Sequence, residues 1–359
     1  MKVKKSLKEL LIEKSNDYSE VEKNFYKETK LDFLNGYHKG IIITKKCSII
    51  IPFYNNISSL EKTLIFLNRQ DLSSTYKMNN MEIILVNDGA KIDCKAALKK
   101  ISRSYPTIYL KFKSNQGRAS ARNLGLAHSN NEIVFFLDED MLLPPEGISS
   151  QLLRHEFFEK CAMVGFRENI SLNQSSCLWT NQKPIMNKRA NYKKDFRFKR
   201  FVPAEWKNLY KEVPEKNFNK THSVFKESDK FRDFGRGKVL GVWSLPFMFL
   251  SSNASALKKY LIEVGGFDVR FKEWGMEDVH LGAKLIAKGL YIVPNLSCTA
   301  FHLVEGLSEK KRSERFQNYK RNLSLYYELE NEPLVSWEEN EWKEKILDDF
   351  ANKFEIYNL

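Results

Sequence analysis

The sequence predicts an α/β fold with a doubly wound, mostly parallel sheet, and three observations carry that prediction. Short β-branched runs alternate with amphipathic segments through the first third of the chain. Each run stops on polar or turn-forming residues, as strands do when they open onto a ligand-binding edge. The chain has 359 residues with 42% hydrophobic and 13% aromatic content, enough to fill a sizeable core.

Taken in order, residues 1–40 read as charged helices and a linker, a helical N-terminal extension. "CSIIIPFYN" (47–55) is a buried strand halted at Pro52. "SSLEKTLIFLNRQ" follows as a helix, with Ser58 and Glu61 read as a capping box and Leu60, Leu64 and Leu67 on one face. "MEIILVNDGA" (81–90) is a second strand, "IDCKAALKKISRSY" a second helix and "TIYLKFKSN" a third strand. "GRASARNLGLAHS" (117–129) is a helix of small residues suited to close packing on a sheet. "NEIVFFLDED" is a fourth strand, running straight into Asp138, Glu139 and Asp140. Three adjacent acids repel and lose hydration together, so something at this strand end must compensate them.

Beyond that point the pattern loosens. Residues 183–237 carry Lys and Arg almost continuously, with Tyr192, Phe196 and Phe198 between them, and show no firm periodicity. This basic insertion is read as a solvated loop or as a lid over an acceptor. "VWSLPFMFLSSNASALKKYLIEVGGFD" is expected to give a strand, a polar turn and a helix ended by Gly265-Gly266. "WGMEDVHLGAKLIAKG" is a turn and a helix ending at Gly289, "LYIVP" a last short strand, and "CTAFHLVEG" its continuation toward a C-terminal helical extension over 306–359.

The formal charge of +13 points to an anionic partner. Five scattered cysteines without a CxxC argue against a zinc ribbon or a disulfide framework, and fit a reducing cytoplasm. The basic opening has no continuous apolar core of a secretory signal, and no stretch reaches a membrane span. No GxGxxG or P-loop is present, and nothing resembles a nucleic-acid module.

Four stretches in a fixed order resemble the family 2 glycosyltransferases of the GT-A fold. They are "SIIIPFYN", "VNDGA" with "SNQGRASARNLGL", the DxD-type "DED", and "VGGFDVRFKEWGMED", the last similar to metal-dependent galactosyl- and N-acetylgalactosaminyltransferases and chondroitin-type polymerases. The similarity covers roughly residues 45–305, and the transferase domain is drawn at 41–305.

That resemblance implies roles. Asp140 and His302 would ligate Mn²⁺ or Mg²⁺, with Asp138 at the metal, a metal-bound water or the ribose. His280 is a rival ligand, but on its helix it should point away from Asp278. An extended chain would put Asp138 and Asp140 on one side and Glu139 on the other. Asp278 would be the general base, and Glu277 would hold a hydroxyl of the sugar or acceptor. Both also suit a helix N-terminus on charge alone. Trp274 would stack on a sugar or fill the core. Pro52 and Tyr54 would shape the base pocket, and Asp88 would accept a base N–H. One of Arg118 and Arg122 would meet the diphosphate and the other would be structural.

The activity implied is inverting transfer of a single sugar from a UDP-sugar (Gal, GalNAc, Glc or GlcNAc) to a polysaccharide intermediate, a peptide or a small natural product. The chain is expected to be cytoplasmic, with peripheral membrane contact or self-association permitted by its charged terminal helices. Two rivals stand beside this: a nucleotidyltransferase, whose Gly-rich, Arg-containing loop is missing after the first strand, and a non-catalytic nucleotide-sugar-binding scaffold, which an intact "DED" and "WGMED" oppose.

Overall fold

The computed structural model describes residues 5–358 apart from 15, 17, 34–35, 39, 71–79, 92–94, 101–104, 172–248 and 305–308. The basic insertion at 183–237 and the apolar run at 239–248 therefore lie outside the described residues.

Four parallel strands form the heart of the sheet: β1 (Cys47–Phe53), β2 (Met81–Asn87), β3 (Thr107–Phe112) and β4 (Ile133–Leu137). Their lateral order is β4-β1-β2-β3, so the chain winds outward one way from β1 and then returns to its other side. A ligand crevice opens where the winding reverses, beyond the carboxyl ends of β1 and β4. The β1–β4 pairing stops at Ile50, before Pro52, so the missing proline N–H interrupts no bond to β4.

Alternation along the strands supplies two cores. Ile50, Ile84 and Val86 face one side, with Leu124 of α5 (Arg118–Ala127), Leu281 of α8 (Glu277–Ala287) and Trp342 of α10 (Glu339–Asp349). Ile49, Ile51, Ile83 and Leu85 face the other, with Leu60 and Leu64 of α3 (Ile57–Leu67) and Leu152 of α6 (Gly147–Phe157). Every residue of β1 and β2 is buried, so both faces of the sheet must be covered, as a layered α/β/α arrangement does. Helix α3 is capped by Asn56, whose side chain accepts from the Ser59 N–H, rather than by the Ser58–Glu61 pair expected from the sequence. A helix beginning at Ile57 already has its first turn where that capping box would sit.

The sheet is extended on both flanks, mostly by antiparallel pairings. β7 (Asn253–Leu257) runs antiparallel between β4 and β6 (Cys161–Ser171). Its sequence, NASAL, falls where a polar turn was expected. Small side chains suit a strand with neighbours on both sides, and the Asn253 amide is satisfied by donating to the Cys298 carbonyl at 2.7 Å. β8 (Tyr291–Val304) absorbs both "LYIVP" and "CTAFHLV", pairs parallel with β6, and pairs antiparallel with the two-residue β5 (Met141–Leu142).

The terminal segments are built into the same cores. In α1 (Leu7–Ile12), Leu7 and Leu11 join the first core, and in α2 (Ser19–Thr29), Phe25 joins the second. Residues Phe354–Asn358, expected as part of a helical extension, form β9, which pairs antiparallel with β3 and completes a nine-stranded sheet. A helix of six described residues, α4 (Lys95–Lys100), lies between β2 and β3. α7 (Lys258–Glu263) and α9 (Glu309–Leu329) complete the described helices. None of the described helices is long and apolar enough to cross a membrane.

Candidate active site

The loops leaving β2 and β3 are locked together at the crevice. Gly89 lies at φ 77°, and a Cβ there would stand 2.3 Å from the Ser114 carbonyl carbon, so only glycine permits this approach. The approach lets the Asp88 carboxylate accept the Gln116 N–H at 2.7 Å and the Gly117 N–H at 3.1 Å. Burial pushes Asp88 up to about 6, against the pull of those two N–H groups. An ionised carboxylate accepts about four hydrogen bonds. Pro52 is buried in β1, and Tyr54 is exposed at the rim just beyond it.

At the end of β4 the chain turns instead of staying extended. The Asp138 N–H donates to the Ser252 carbonyl, and the Met141 N–H returns to the Asp138 carbonyl. Met141 then pairs with His302 on β8. The turn, set by the β5–β8 pairing, gives the three acids different surroundings, which is how they tolerate one another. Asp138 accepts from Arg122 at 2.9 Å. Asp140 Oδ2 lies 3.2 Å from His302 Nε2, while its buried Oδ1 has no hydrogen-bond partner among the described residues. Glu139 is pushed up to about 8 by burial and by the fields of Asp140 and Asp138, so near neutral pH it keeps its proton.

Arg122 joins the two acidic segments. It sits one turn inside α5, is 1% exposed, and reaches Asp138 at 2.9 Å, Glu277 at 3.1 Å and Asp278 at 3.6 Å. Burial works against its charge, but the fields of Asp138, Asp278 and Glu277 outweigh it and hold the guanidinium ionised. The next residue, Asn123, explains why α5 and α8 keep register. Its amide donates to the Phe267 carbonyl and accepts the Phe267 N–H, both at 2.8 Å. Gly266, at φ 61°, must lack a side chain, because a Cβ would stand 2.5 Å from Asn123 Oδ1.

Glu277 and Asp278 open α8 but meet different surroundings. Glu277 is buried and turned onto Arg122, so in the structure it holds the guanidinium. Asp278 keeps 19% of its side chain exposed and accepts from the Ser251 hydroxyl. Burial first, then the charge of Glu277, pushes Asp278 up to about 7, while Arg122 and Ser251 pull it back. Ser251 escaped the sequence reading. Its only signal is a polar "SSN" between an apolar run and a strand.

Trp274 stands on a strained loop held by α9. Glu273 and Met276 adopt φ 61° and 75°, an unfavourable region for residues with a Cβ, costing about 1–3 kcal/mol each. The buried Asn322 of α9 offsets this by donating to the carbonyls of Lys272 at 2.8 Å and Gly275 at 2.9 Å. Trp274 remains 37% exposed, tilted against Tyr319, with Arg315 6.0 Å above its ring. Asn322→Leu is therefore expected to release the loop: intrinsic fluorescence of the Trp274 region should red-shift and proteolysis near 273–276 should speed up, with little change in the β-sheet circular dichroism.

Two expectations left open are separated by burial. Arg118 is exposed at the N-terminus of α5, while Arg122 is enclosed by carboxylates. His280 packs against Phe271 at 5.3 Å and Tyr326 at 6.3 Å, and burial lowers it to about 3, which makes it a core histidine. Among the described residues no three His, Cys, Asp or Glu side chains gather as a metal-holding group. Of the three expected ligands, Asp140 and His302 stand together, and Asp138 is turned to Arg122.

The match to known proteins falls on this framework. Residues 48–212 match the family description "Glycosyl transferase family 2". The match takes in a little under half of the chain, which is similar to that family there. Similar proteins include the uncharacterized glycosyltransferase YfnE of Bacillus subtilis, 25% identical over 248 residues, covering 68% of this chain and 61% of that protein. The chondroitin synthase of Escherichia coli is 28% identical over 276 residues, covering 75% of this chain and 36% of that protein. The chain thus spans less than two thirds of either relative. A similar fold is seen in a mannosyltransferase from Pyrobaculum calidifontis solved with GDP-Man and Mn²⁺, at TM-score 0.53 and 14% identity over 96% of this chain and 82% of that one. The family match carries Asp88, Arg122 and the acidic turn, while Asp278, His302 and α9 lie beyond it.

Proposed function

We propose that this chain is an inverting, metal-dependent glycosyltransferase that moves a single sugar from a UDP-sugar to an acceptor hydroxyl. The observation that carries the reading is the convergence on Arg122: the DxD segment and the acidic start of α8, more than a hundred residues apart, share one buried cation. Two different tasks are thereby set side by side, leaving-group stabilisation at 138–140 and proton removal at 278.

The residues divide as follows. Asp140 and His302 offer an oxygen and a nitrogen donor, and the unsatisfied Asp140 Oδ1 is an atom that a divalent cation would engage. Such a cation would be held by Asp140 and His302 and would supply charge neutralisation for the departing nucleotide. Asp278 takes the proton from the acceptor hydroxyl as that oxygen bonds to the anomeric carbon, and the electron pair of the breaking C–O bond leaves with UDP. One displacement inverts the centre. Glu277 and Arg122 position Asp278, Ser251 keeps its proton affinity near neutral, and Trp274 offers a face for a sugar ring. Asp88, Pro52 and Tyr54 frame the nucleoside. The donor sugar is Gal, GalNAc, Glc or GlcNAc, and the acceptor a glycan, peptide or small molecule.

A thermal-shift screen of UDP-, GDP-, TDP- and CMP-sugars, with and without Mn²⁺, tests this reading. A ligand at a hundred times its dissociation constant stabilises the folded state by about 2.7 kcal/mol, so a metal-dependent rise of a few degrees with UDP-sugars is expected. Asp140→Ala should abolish that metal-dependent rise while leaving the melting temperature of the free protein nearly unchanged. A rise with GDP-sugars alone would overturn the donor assignment. Binding without any sugar transfer or donor hydrolysis across the screen would favour a scaffold.

A further inference from the structure

We propose that Thr63 of α3 is a positioning residue for the cation site: its hydroxyl fixes the peptide that enters Asp140 and so aims that carboxylate at His302. The proposal rests on the metal-dependent reading above and adds to it a residue that no motif in the sequence marks.

Thr63 is buried, and its hydroxyl donates to the Glu139 carbonyl at 2.8 Å. A peptide group is rigid and planar, so holding the Glu139 carbonyl also orients the Asp140 N–H and Cα. The next peptide is held from the other side, where the Leu303 N–H donates to the Asp140 carbonyl at 2.8 Å. With both flanking planes held, the backbone angles of Asp140 are set, and the direction of its side chain with them. Leu303 is the neighbour of His302, so β8 places the imidazole and one side of the carboxylate's frame. Thr63 places the other side. Asp140 Oδ2 then stands 3.2 Å from His302 Nε2.

A threonine inside a helix is a weak helix former, and its hydroxyl commonly turns back to a carbonyl one turn earlier. Thr63 directs its single hydroxyl proton off the helix instead. Two neighbours seat the chain beyond the acids by other means. Phe66 packs with Leu142, Phe301 and Leu303. Gln70, just past the end of α3, donates to the Pro144 carbonyl at 2.9 Å and accepts the Ile148 N–H at 3.1 Å. Those contacts fall after Asp140 and hold with or without a hydroxyl at 63. Of the three residues, Thr63 is the one that bonds the peptide entering Asp140. Groups that orient a metal ligand from behind are worth about 10–100-fold in metal affinity.

Titration of Mn²⁺ into the intact chain, with and without saturating UDP and followed by the electron paramagnetic resonance of the free ion, tests this. Wild type is compared with Thr63→Val, Thr63→Ser and Gln70→Met. Thr63→Val keeps the shape and removes the donor, so Mn²⁺ affinity should fall by about tenfold or more. Thr63→Ser keeps the donor and loses a buried methyl group, so its melting temperature should fall while its Mn²⁺ affinity stays within about twofold of wild type. Gln70→Met loosens the segment after the turn and should likewise lower the melting temperature with Mn²⁺ affinity held within about twofold. Affinity and stability should thus separate, which a merely structural role does not allow. Thr63→Ala carries the same expectation as Thr63→Val and replaces it if that variant does not fold. Equal Mn²⁺ affinities in wild type and the variants lacking the hydroxyl would overturn the proposal, as would losses in all variants that simply follow their melting temperatures. If the wild type binds no Mn²⁺ in either condition, the metal-dependent reading itself falls, and the role of Thr63 with it.

Discussion

Replacing Arg122 with Ala should produce the largest loss of stability that a single substitution in the candidate site can cause. The guanidinium is 1% exposed and touches Asp138, Glu277 and Asp278. Its removal leaves buried carboxylates facing one another with no cation between them. Breaking a buried ion pair by deleting one partner costs about 3–5 kcal/mol, which in a chain of this size lowers the melting temperature by roughly 4–7 °C. Differential scanning calorimetry checks the number. The cause can be checked through pH. If carboxylate repulsion is responsible, the deficit should shrink as pH falls from 8 to 5, because protonation neutralises the acids that lost their partner. A cavity left by a missing side chain would give a deficit independent of pH. Arg122→Lys should rescue only partly, since one ammonium cannot span carboxylates held by separate arms of a planar fork.

The strands and their polar ends were legible in the sequence because β1, β2 and β4 are buried on both faces. Continuous runs such as "SIIIPF" and "IVFFL" have no other stable environment. The identities of Asp138, Asp140, Asp278 and His302 as candidates were legible for a different reason. Acids at strand ends and helix starts are conspicuous, and the resemblance to a family fixed their order. What pairing each acid would make was not legible. The extended-chain argument for Asp138 and Asp140 failed because the next two residues are captured by β8, a strand more than 150 positions away. No local pattern encodes that register.

The role of the C-terminal residues was hidden for the same reason. As a sequence, α9 is a charged helix with a weak apolar stripe, and its value lies in one buried amide. Asn322 is 1% exposed and holds a loop whose residues adopt left-handed backbone angles. Asparagine is common on helix surfaces, so nothing marks this one until the loop carbonyls are seen around it. Residues 354–358, "FEIYN", are rich in aromatic and β-branched side chains, a strand composition overshadowed by the acidic helix before it. Trp342 of that helix is likewise buried against the Gly265-Gly266 turn that Asn123 fastens to α5. The terminal segments are thus part of the site's scaffold: α9 and α10 press the 265–278 segment against α5, and that pressure brings Asp278 to Arg122.

The second large effect concerns Asp278, where stability and activity should oppose each other. Burial and Glu277 raise its carboxyl from an ordinary value near 3.8 to about 7. Below pH 4 it is protonated folded and unfolded alike. Between pH 4 and 7 the folded state keeps a proton that the unfolded chain releases, so its contribution to stability is lost as pH rises through that window. Over the same window the carboxylate needed to accept the acceptor proton appears, so kcat/KM should climb with an apparent pKa near 7. Asp278→Asn removes the proton acceptor but keeps an oxygen for the Ser251 hydroxyl. Turnover should fall by about 10²–10⁴, while the affinity for nucleotide with Mn²⁺ stays within twofold. At pH 8 the variant should melt no lower than wild type, because it no longer holds a second ionised carboxylate beside Glu277. Ser251→Ala probes the same group from outside, since loss of the hydroxyl donor should move the rate profile to higher pH without abolishing turnover. A flat pH profile in wild type, or full activity in Asp278→Asn, would assign the proton to another acceptor and leave the carboxylate at 278 as a structural cap on α8.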